Sequence, residues 1–189
     1  MKKTFCAAMF MVISLGGLQL AAQENRGPAA VMLNHYAARN FIAGAIPTAD
    51  LNTIIQAGVR APSAANRQPW RFTVIQSQTL AQKIVSNNVE GNVLIVVSAA
   101  GDGKTNTQEI IDCSLATQNI YLAAQALGYG SRIYTGPINT VNSNLKGELG
   151  LPSGHNAVAV VRVGRIQPGV DAVSAASTRK KAEEVVTYK

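Results

Sequence analysis

The segment from residue 61 to 72 constrains the fold of this chain more than any other. It reads Ala-Pro-Ser-Ala-Ala-Asn-Arg-Gln-Pro-Trp-Arg-Phe and contains the only tryptophan and two of the seven prolines. Before it, apolar residues at helical spacing from Leu51 to Gly58 predict an amphipathic helix, which Pro62 should end. After it, the alternation around Phe72 and Val74 predicts a strand. Because a loop of about ten residues between a helix and a strand is unusually long, we expect it to carry a binding site.

The chemistry of this loop suits a planar polar ligand. Its backbone N–H groups and the side chains of Ser63, Asn66 and Gln68 are all capable of hydrogen bonding. The segment closely resembles the signature of the FMN-dependent nitroreductase family, Ala-Pro-Ser-x-x-Asn-x-Gln-Pro-Trp-x-Phe, which lies along the flavin. The resemblance implies that Pro62, Ser63, Asn66 and Gln68 bind FMN. Taken alone, the segment also fits a proline-rich loop in which Trp70 fills the core.

Two downstream segments extend the resemblance. Residues 112–128 resemble the family's long central helix, with Gly128 as its C-terminal cap. Because Ile111, Leu115, Leu122 and many alanines leave little charge, we expect this helix to be buried on most of its circumference. The resemblance implies that it packs at a dimer interface, where alanines allow close approach. Residues 130–136 resemble the strand and turn that present backbone groups to the flavin ring, which implies that Thr135 and Gly136 contact the ring.

The C-terminal tail also resembles the family. Residues 177–186 combine a basic run with Glu-Glu-Val-Val, and the family places an arginine at the position of Arg179 against the FMN phosphate. A guanidinium suits this role because it donates two parallel charge-assisted hydrogen bonds. A solvated basic tail is the alternative interpretation.

The resemblance spans residues 34–188 but is incomplete near its start. Family members carry Arg-x-Ser-x-Arg or Arg-x-Ser-x-Lys ahead of a phenylalanine, and the matching residues here are His35, Ala37 and Arg39, followed by Phe41. Arg39 can hold the phosphate or the pyrimidine edge of the flavin. Ala37 supplies no hydroxyl, and His35 is a weaker phosphate partner at neutral pH. We therefore expect weakened FMN binding.

The N-terminus has the pattern of a secretory signal peptide. Two lysines precede an apolar stretch from residue 5 to 20, followed by Ala21-Ala22-Gln23. We predict a signal peptide over residues 1–22, a single domain over residues 23–189, and a periplasmic or secreted protein with no membrane contact after cleavage. An uncleaved membrane anchor is the alternative.

Several other classes of function fit the composition poorly. Cys113 is the only cysteine of the predicted mature chain, which precludes an internal disulfide. The two histidines, His35 and His155, have no Cys or carboxylate around them at the spacing of metal ligands, so we predict no metal site. The segment 101–105 resembles part of a phosphate-binding loop but lacks its first glycine, so we predict a turn. The net charge of +7, or +5 without the two signal-peptide lysines, suits a bound phosphate. The sequence contains no dense basic run interleaved with aromatic residues, which is the pattern that would indicate nucleic-acid binding.

Together these features predict an α+β protein with a nitroreductase-like central mixed sheet flanked by helices. Further predicted elements are helices over residues 28–38, 77–85 and 139–149 and strands over residues 92–99 and 156–164. The resemblance implies a homodimer with two FMN sites at its interface, in which the segment after residue 167 reaches the other subunit. It also implies an FMN-dependent oxidoreductase with no catalytic acid or base. Electrons would pass as hydride or singly through the flavin to a flat acceptor such as a nitroaromatic or a quinone.

The expected export leaves the electron donor open, because NAD(P)H is a cytoplasmic molecule. The donor is therefore NAD(P)H or another partner. A non-catalytic flavin-binding or dimeric interaction protein with the same fold is the alternative function. Flavin absorption and reduction by NAD(P)H distinguish these hypotheses.

Overall fold

The computed structural model describes residues 27–101, 107–167 and 178–189. The chain divides into two compact units, of which the first ends at Asn34 and the second begins at His35. The described part of the first unit is helix α1, Pro28–Asn34, in which the Asn34 side chain donates a hydrogen bond to the Ala30 carbonyl at 2.8 Å. This helix is shorter than the predicted 28–38. The predicted signal peptide and the segment 168–176 lie outside the described residues.

The second unit is built on a five-stranded sheet. Its strands are β1 (Phe41–Ile42), β2 (Arg71–Ile75), β3 (Val93–Ala100), β4 (Gly130–Tyr134) and β5 (His155–Ile166). The longest strand, β5, pairs along one edge with β3 and along the other edge with β4 and β1. Strand β2 pairs with the outer edge of β3. Strands were expected over most of β2, β3 and β5.

The expectation of a mixed sheet is wrong for the described strands, because all their pairings are antiparallel. Strands β3 and β4 do run in the same direction, since both are antiparallel to β5. The long β5 lies between them, however, so these two parallel strands never become neighbours.

Helices cover both faces of this sheet. They are α2 (Thr48–Val59), α3 (Gln78–Gln82), α4 (Thr107–Ala126) and α5 (Ile138–Thr140), which continues as a π-helical turn over Val141–Leu145. A further short helix, α6 (Ala182–Val185), is exposed. Successive residues of β3 point to opposite faces. Ile95 and Val97 join a core with residues of α2 and α4, whereas Leu94 and Val96 join a core with residues of α3 and the π-helical turn.

Helix α2 follows the predicted pattern. Leu51, Ile54 and Gly58 are buried, and the helix ends at Val59, shortly before Pro62. Thr48 is the first helical residue, and no side chain caps the helix at Pro47.

Helix α4 is buried on one face only, which corrects the expectation of burial around most of its circumference. Ala116 and Ala124 lie fully inside the subunit's own core, so these alanines serve packing within the subunit. On the opposite face, Ile111 is 54% exposed and Leu115 is 39% exposed. Gly128 ends the helical region with a positive φ of 86°, as expected for a C-terminal cap. Within the described ranges, no helix has both the length and the apolar character needed to cross a bilayer.

Candidate functional site

The loop between α2 and β2 folds into a left-handed turn without glycine. Ala65, Asn66 and Gln68 have φ values of 51°, 52° and 48°. For residues with a side chain this conformation costs roughly 1–2 kcal/mol each, so the surroundings must hold it.

Hydrogen bonds within the loop bring together three predicted site residues. The Asn66 N–H donates to the Ser63 carbonyl at 3.0 Å, and the Gln68 N–H donates to Ser63 Oγ at 3.0 Å. The side-chain amide of Gln68 donates to Asn66 Oδ1 at 3.1 Å. Ser63, Asn66 and Gln68 therefore form one polar group, beside the exposed Pro62.

The backbone N–H groups of this loop were expected to face a ligand, and for most of them this expectation is wrong. Those of Asn66 and Gln68 are used within the loop, and the Arg67 N–H donates to the Ala64 carbonyl at 3.1 Å. The side chains retain the hydrogen-bonding capacity. Against the described residues, the Ser63 hydroxyl proton, Asn66 Nδ2 and Gln68 Oε1 form no hydrogen bond.

Helix α4 holds the loop at two points. The Ala64 N–H donates to Asp112 Oδ1 at 3.1 Å, and the Arg67 side chain donates to Gln108 Oε1. Gln108 and Asp112 are four residues apart and therefore lie on the same face of the helix. Asp112 is only 3% exposed, and its Oδ2 is a buried atom with no partner among the described residues.

A second group of predicted residues lies near the C-terminal half of α4. His35 Nδ1 is 3.3 Å from the Tyr121 hydroxyl, and the two rings meet edge to face with centroids 5.4 Å apart. Gln125 fixes the neighbouring backbone, because it accepts from the Tyr36 N–H at 3.2 Å and donates to the Tyr36 carbonyl at 3.0 Å. The start of the second unit is thus attached to α4.

Arg179 influences the tyrosine that His35 contacts. Burial raises the pKa of Tyr121, and both a hydrogen bond with Gln125 and the positive charge of Arg179 oppose that rise. The charge of Arg179 therefore reaches Tyr121, the residue that His35 contacts. Arg39 and Ala37 are exposed, and Arg39 forms no ion pair with the described residues. Every residue from 178 to 189 is exposed.

Thr135 and Gly136 form the turn after β4, and both are exposed. A Cβ added to Gly136 would meet no atom within 4 Å, so the space beside this residue is open. Thr73 of β2, Val96 of β3, Val160 of β5 and Tyr134 of β4 lie side by side across the four strands. Because β4 ends at Tyr134 and β2 begins two residues before Thr73, the turn after β4 lies at the end of the sheet where β2 begins. The polar loop that precedes β2 lies at the same end, about three strand spacings or ~14 Å away.

The loop and His35 are attached to opposite sides of α4. Asp112, which holds the loop, and Tyr121, which contacts His35, are nine residues apart. Nine residues of α-helix correspond to about 14 Å along the axis and a rotation of about 180°. The exposed apolar residues Ile111 and Leu115 lie on the helix surface between these two sides. One subunit therefore brings Ser63, Asn66 and Gln68 together. On the other side of α4 it places His35 against Tyr121, whose pKa also responds to the charge of Arg179.

The sequence prediction missed the residues that support both groups. Asp112, Tyr121 and Gln125 were treated as parts of an apolar helix, yet Asp112 and Tyr121 are buried and all three hydrogen-bond to segments of the predicted site. The signal was available, because a carboxylate or a hydroxyl on a buried helix face needs a partner from another element.

Two further titratable residues, Cys113 and His155, are not assigned to these groups. Cys113 is a buried free thiol, and burial together with the charge of Asp112 raises its pKa to about 12. Burial, with the charge of Arg71, lowers the pKa of His155. Among the described residues, no cluster of three or more His, Cys, Asp or Glu side chains is arranged to hold a metal ion. Most of the segment 101–105 lies outside the described residues.

The family model described as "Nitroreductase family" matches residues 32–92 and 89–165 of the chain. This chain belongs to the nitroreductase family. A nitroreductase-family relative from Archaeoglobus fulgidus, named NADH dehydrogenase/NAD(P)H nitroreductase, is 35% identical over 125 residues, which cover 61% of this chain and 71% of the relative. A relative of the same name from Methanothermobacter thermautotrophicus is 32% identical over 98 residues, 48% of this chain and 51% of the relative.

Solved nitroreductase structures share the fold. A nitroreductase from Desulfovibrio desulfuricans in complex with FMN superposes with a TM-score of 0.72 at 24% identity, covering 86% of this chain and 97% of the other. A nitroreductase with bound FMN from Bacteroides fragilis gives a TM-score of 0.69 at 21% identity, covering 85% and 98%. The architecture of this chain is therefore the nitroreductase fold.

Proposed function

We propose that this protein is an FMN-dependent oxidoreductase that reduces a flat acceptor such as a nitroaromatic or a quinone. The observation that carries the proposal is the left-handed loop, which gathers Ser63, Asn66 and Gln68 in a nitroreductase-family chain. The names of the two relatives and the FMN bound in the two structural neighbours support the same conclusion.

The residues present fit FMN. The pyrimidine edge of a flavin alternates carbonyl acceptors with an N–H donor, and the loop offers a hydroxyl proton, an amide N–H and an amide oxygen. Arg179 and Arg39 supply positive charge and donors for a phosphate, His35 supplies a ring nitrogen, and Thr135 and Gly136 border open space suitable for a ring. Because this set matches one terminal phosphate and the chain has no Gly-x-Gly-x-x-Gly turn, we propose FMN rather than FAD.

Bound FMN would supply the redox chemistry by accepting and releasing hydride at N5. The chain's own residues would bind and orient the ring system, and Ser63, Asn66 and Gln68 would fix its polar edge. A cation near that edge favours negative charge on the pyrimidine, and Arg39 is an exposed candidate. No side chain is assigned the role of an acid or a base.

We further propose a homodimer with two composite sites. The exposed apolar surface of Ile111 and Leu115 on α4 offers an interface, as does the exposed tail with Val185, Val186 and Tyr188. The polar loop and the His35–Arg179 group flank this surface on opposite sides of α4. A two-fold contact between crossed α4 helices can bring the loop of one subunit to the cationic group of its partner. Each FMN would then lie between two subunits.

We also propose export to the periplasm or beyond, with residues 1–22 as the signal peptide. The names of the relatives support a nicotinamide donor. An exported protein would instead draw electrons from a donor present outside the cytoplasm. Identifying the donor therefore requires the cellular location of the protein as well as a measurement of which donors reduce it.

The test uses the purified protein lacking residues 1–22. Flavin absorption after FMN addition, with mass spectrometry of the released cofactor, identifies the ligand. Anaerobic bleaching by NADH or NADPH, followed by reoxidation with a quinone or a nitroaromatic, tests the oxidoreductase. If the protein takes up no FMN at high concentration, the proposed cofactor is contradicted. If it binds FMN, but the bound flavin is not reduced by NAD(P)H or a chemical donor and transfers no electrons to an acceptor, a non-catalytic flavin-binding protein is favoured.

A further inference from the structure

We propose that Asp112 is a positioning residue, whose buried carboxylate holds the loop of residues 63–68 in its left-handed conformation before any ligand binds. The relevance of this residue to FMN rests on the proposed function. Its effect on the loop does not, because the contact exists within the described chain itself.

The contact is made at the start of the turn. The short 3₁₀ helix Ala64–Asn66 begins at Ala64, and Ser63, its N-terminal neighbour, gives it no side-chain cap. Ser63 Oγ instead accepts from the Gln68 N–H. Asp112 replaces the missing cap from another element, since its Oδ1 accepts from the Ala64 N–H at 3.1 Å. A carboxylate is well suited to cap a helical N-terminus, because the first N–H groups carry partial positive charge.

The position of Asp112 in the fold makes it a rigid support. It lies on α4, the 20-residue helix that packs on the sheet, and it is flanked by Cys113 and Ala116, which are fully buried. A buried carboxylate with one oxygen unpartnered is unfavourable for stability alone. Its retention on this face is explained by its contact with the loop.

The loop needs such a support because its own residues disfavour its shape. Ala65, Asn66 and Gln68 are all left-handed, and the Arg67–Gln108 hydrogen bond, which also joins the loop to α4, is exposed. Exposed side-chain contacts contribute little rigidity, since water competes for both partners. Asp112 therefore carries most of the attachment, and the alignment of Ser63, Asn66 and Gln68 depends on it.

The experiment compares Asp112→Ala with Asp112→Asn, using Ser114→Ala as a matched control on the exposed side of the same helix. Asparagine keeps an acceptor oxygen at the place of Oδ1, whereas alanine removes it. In the protein without FMN, hydrogen exchange of the Ala64 amide, followed by NMR, should be at least tenfold faster in Asp112→Ala. It should stay within about threefold of the parent in Asp112→Asn and Ser114→Ala.

FMN titration supplies the second readout. We expect the dissociation constant to rise about tenfold in Asp112→Ala and to be largely restored in Asp112→Asn. Unchanged Ala64 exchange in Asp112→Ala overturns the inference, as does equal loss in Asp112→Asn if that variant is folded with parental thermal stability. If the parent itself does not bind FMN, the proposed function fails, while the exchange result still decides the role of Asp112.

Discussion

His35 Nδ1 lies 3.3 Å from the hydroxyl oxygen of Tyr121, so the histidine at the family's phosphate position is already engaged by its own subunit. Its contact is with a buried tyrosine on α4, and only its second ring nitrogen remains for a ligand. Ala37, two residues later, has no hydroxyl. We therefore expect this segment to bind a phosphate weakly, and in the proposed site the arginines make the main phosphate contacts.

Arg179→Ala should weaken FMN binding by about tenfold or more. The change removes a guanidinium whose charge reaches Tyr121 and which is suited to a bidentate contact with a phosphate. Fluorescence titration of FMN gives the dissociation constant. Lys180→Ala is the matched control, because it removes an adjacent exposed cation from the same tail. Equal affinity of Arg179→Ala and the parent would refute the assignment of this arginine to the phosphate.

Ala37→Ser should tighten FMN binding by about tenfold. A recovered hydroxyl hydrogen bond to a charged oxygen is worth about 1.5 kcal/mol. Position 37 is exposed, so the added oxygen creates no packing conflict. The same titration measures the effect, with Ala37→Val as a control of similar size and no hydroxyl. A silent Ala37→Ser change, with Arg179→Ala still impaired, would mean that His35 or Arg39 already satisfies that phosphate oxygen.

The sequence predicted the elements of the fold better than the supports of the site. Period-two and helical patterns located β2, β3, β5 and α2, because local patterns record which face of an element is buried. Such patterns indicate that Asp112 on a buried helix face needs a partner, but they do not identify it, since the partner is a loop 48 residues away in sequence. The shape of the loop was equally hidden, because nothing local marks Ala65 as left-handed.

Ile111→Glu should convert the proposed dimer to a monomer at micromolar concentration. Ile111 is an exposed apolar residue on α4. In a two-fold interface each subunit would contribute one glutamate, so the substitution would bury two unpaired charges. Sedimentation velocity measures the change. Asn144→Asp is the control, because this exposed residue lies in the π-helical turn, which packs on the opposite face of the sheet. A parent that sediments as a monomer would contradict both the dimer and the composite sites.

Gly91→Ala should lower the free energy of unfolding by roughly 2–4 kcal/mol. Gly91 has a φ of 77°, and an added Cβ would lie 2.5 Å from the backbone carbonyl carbon of Gly44. Backbone atoms cannot move aside as the tip of a side chain can. The backbone strain of an alanine at this positive φ and the displacement of the Gly44 backbone therefore both lower the free energy of unfolding. Chemical denaturation measures the loss. Gly147→Ala is the matched control, because nothing lies within 4 Å of its added Cβ, and a similar loss there would disprove the steric explanation.

Cys113 should make the folded protein less stable in alkali. Burial raises the pKa of this thiol from 9.0 to about 12, so the folded state keeps a proton that the unfolded chain releases above pH 9. The free energy of unfolding should therefore fall as the pH rises from about 9 to 12, with a contribution of about 1 kcal/mol at pH 10 and almost none below pH 8. The raised pKa values of Tyr121 and Tyr129 act in the same direction at higher pH.

The check uses the protein lacking residues 1–22, in which Cys113 is the only cysteine. Cys113→Ala should lose about 1 kcal/mol less than the parent between pH 8 and pH 10, as measured by chemical denaturation at both values. The parent thiol should also resist a disulfide reagent at pH 8 while folded and react fully once unfolded, because only the thiolate attacks. Rapid modification of the folded protein, or equal pH slopes for the two proteins, would show that the Cys113 environment is open to water.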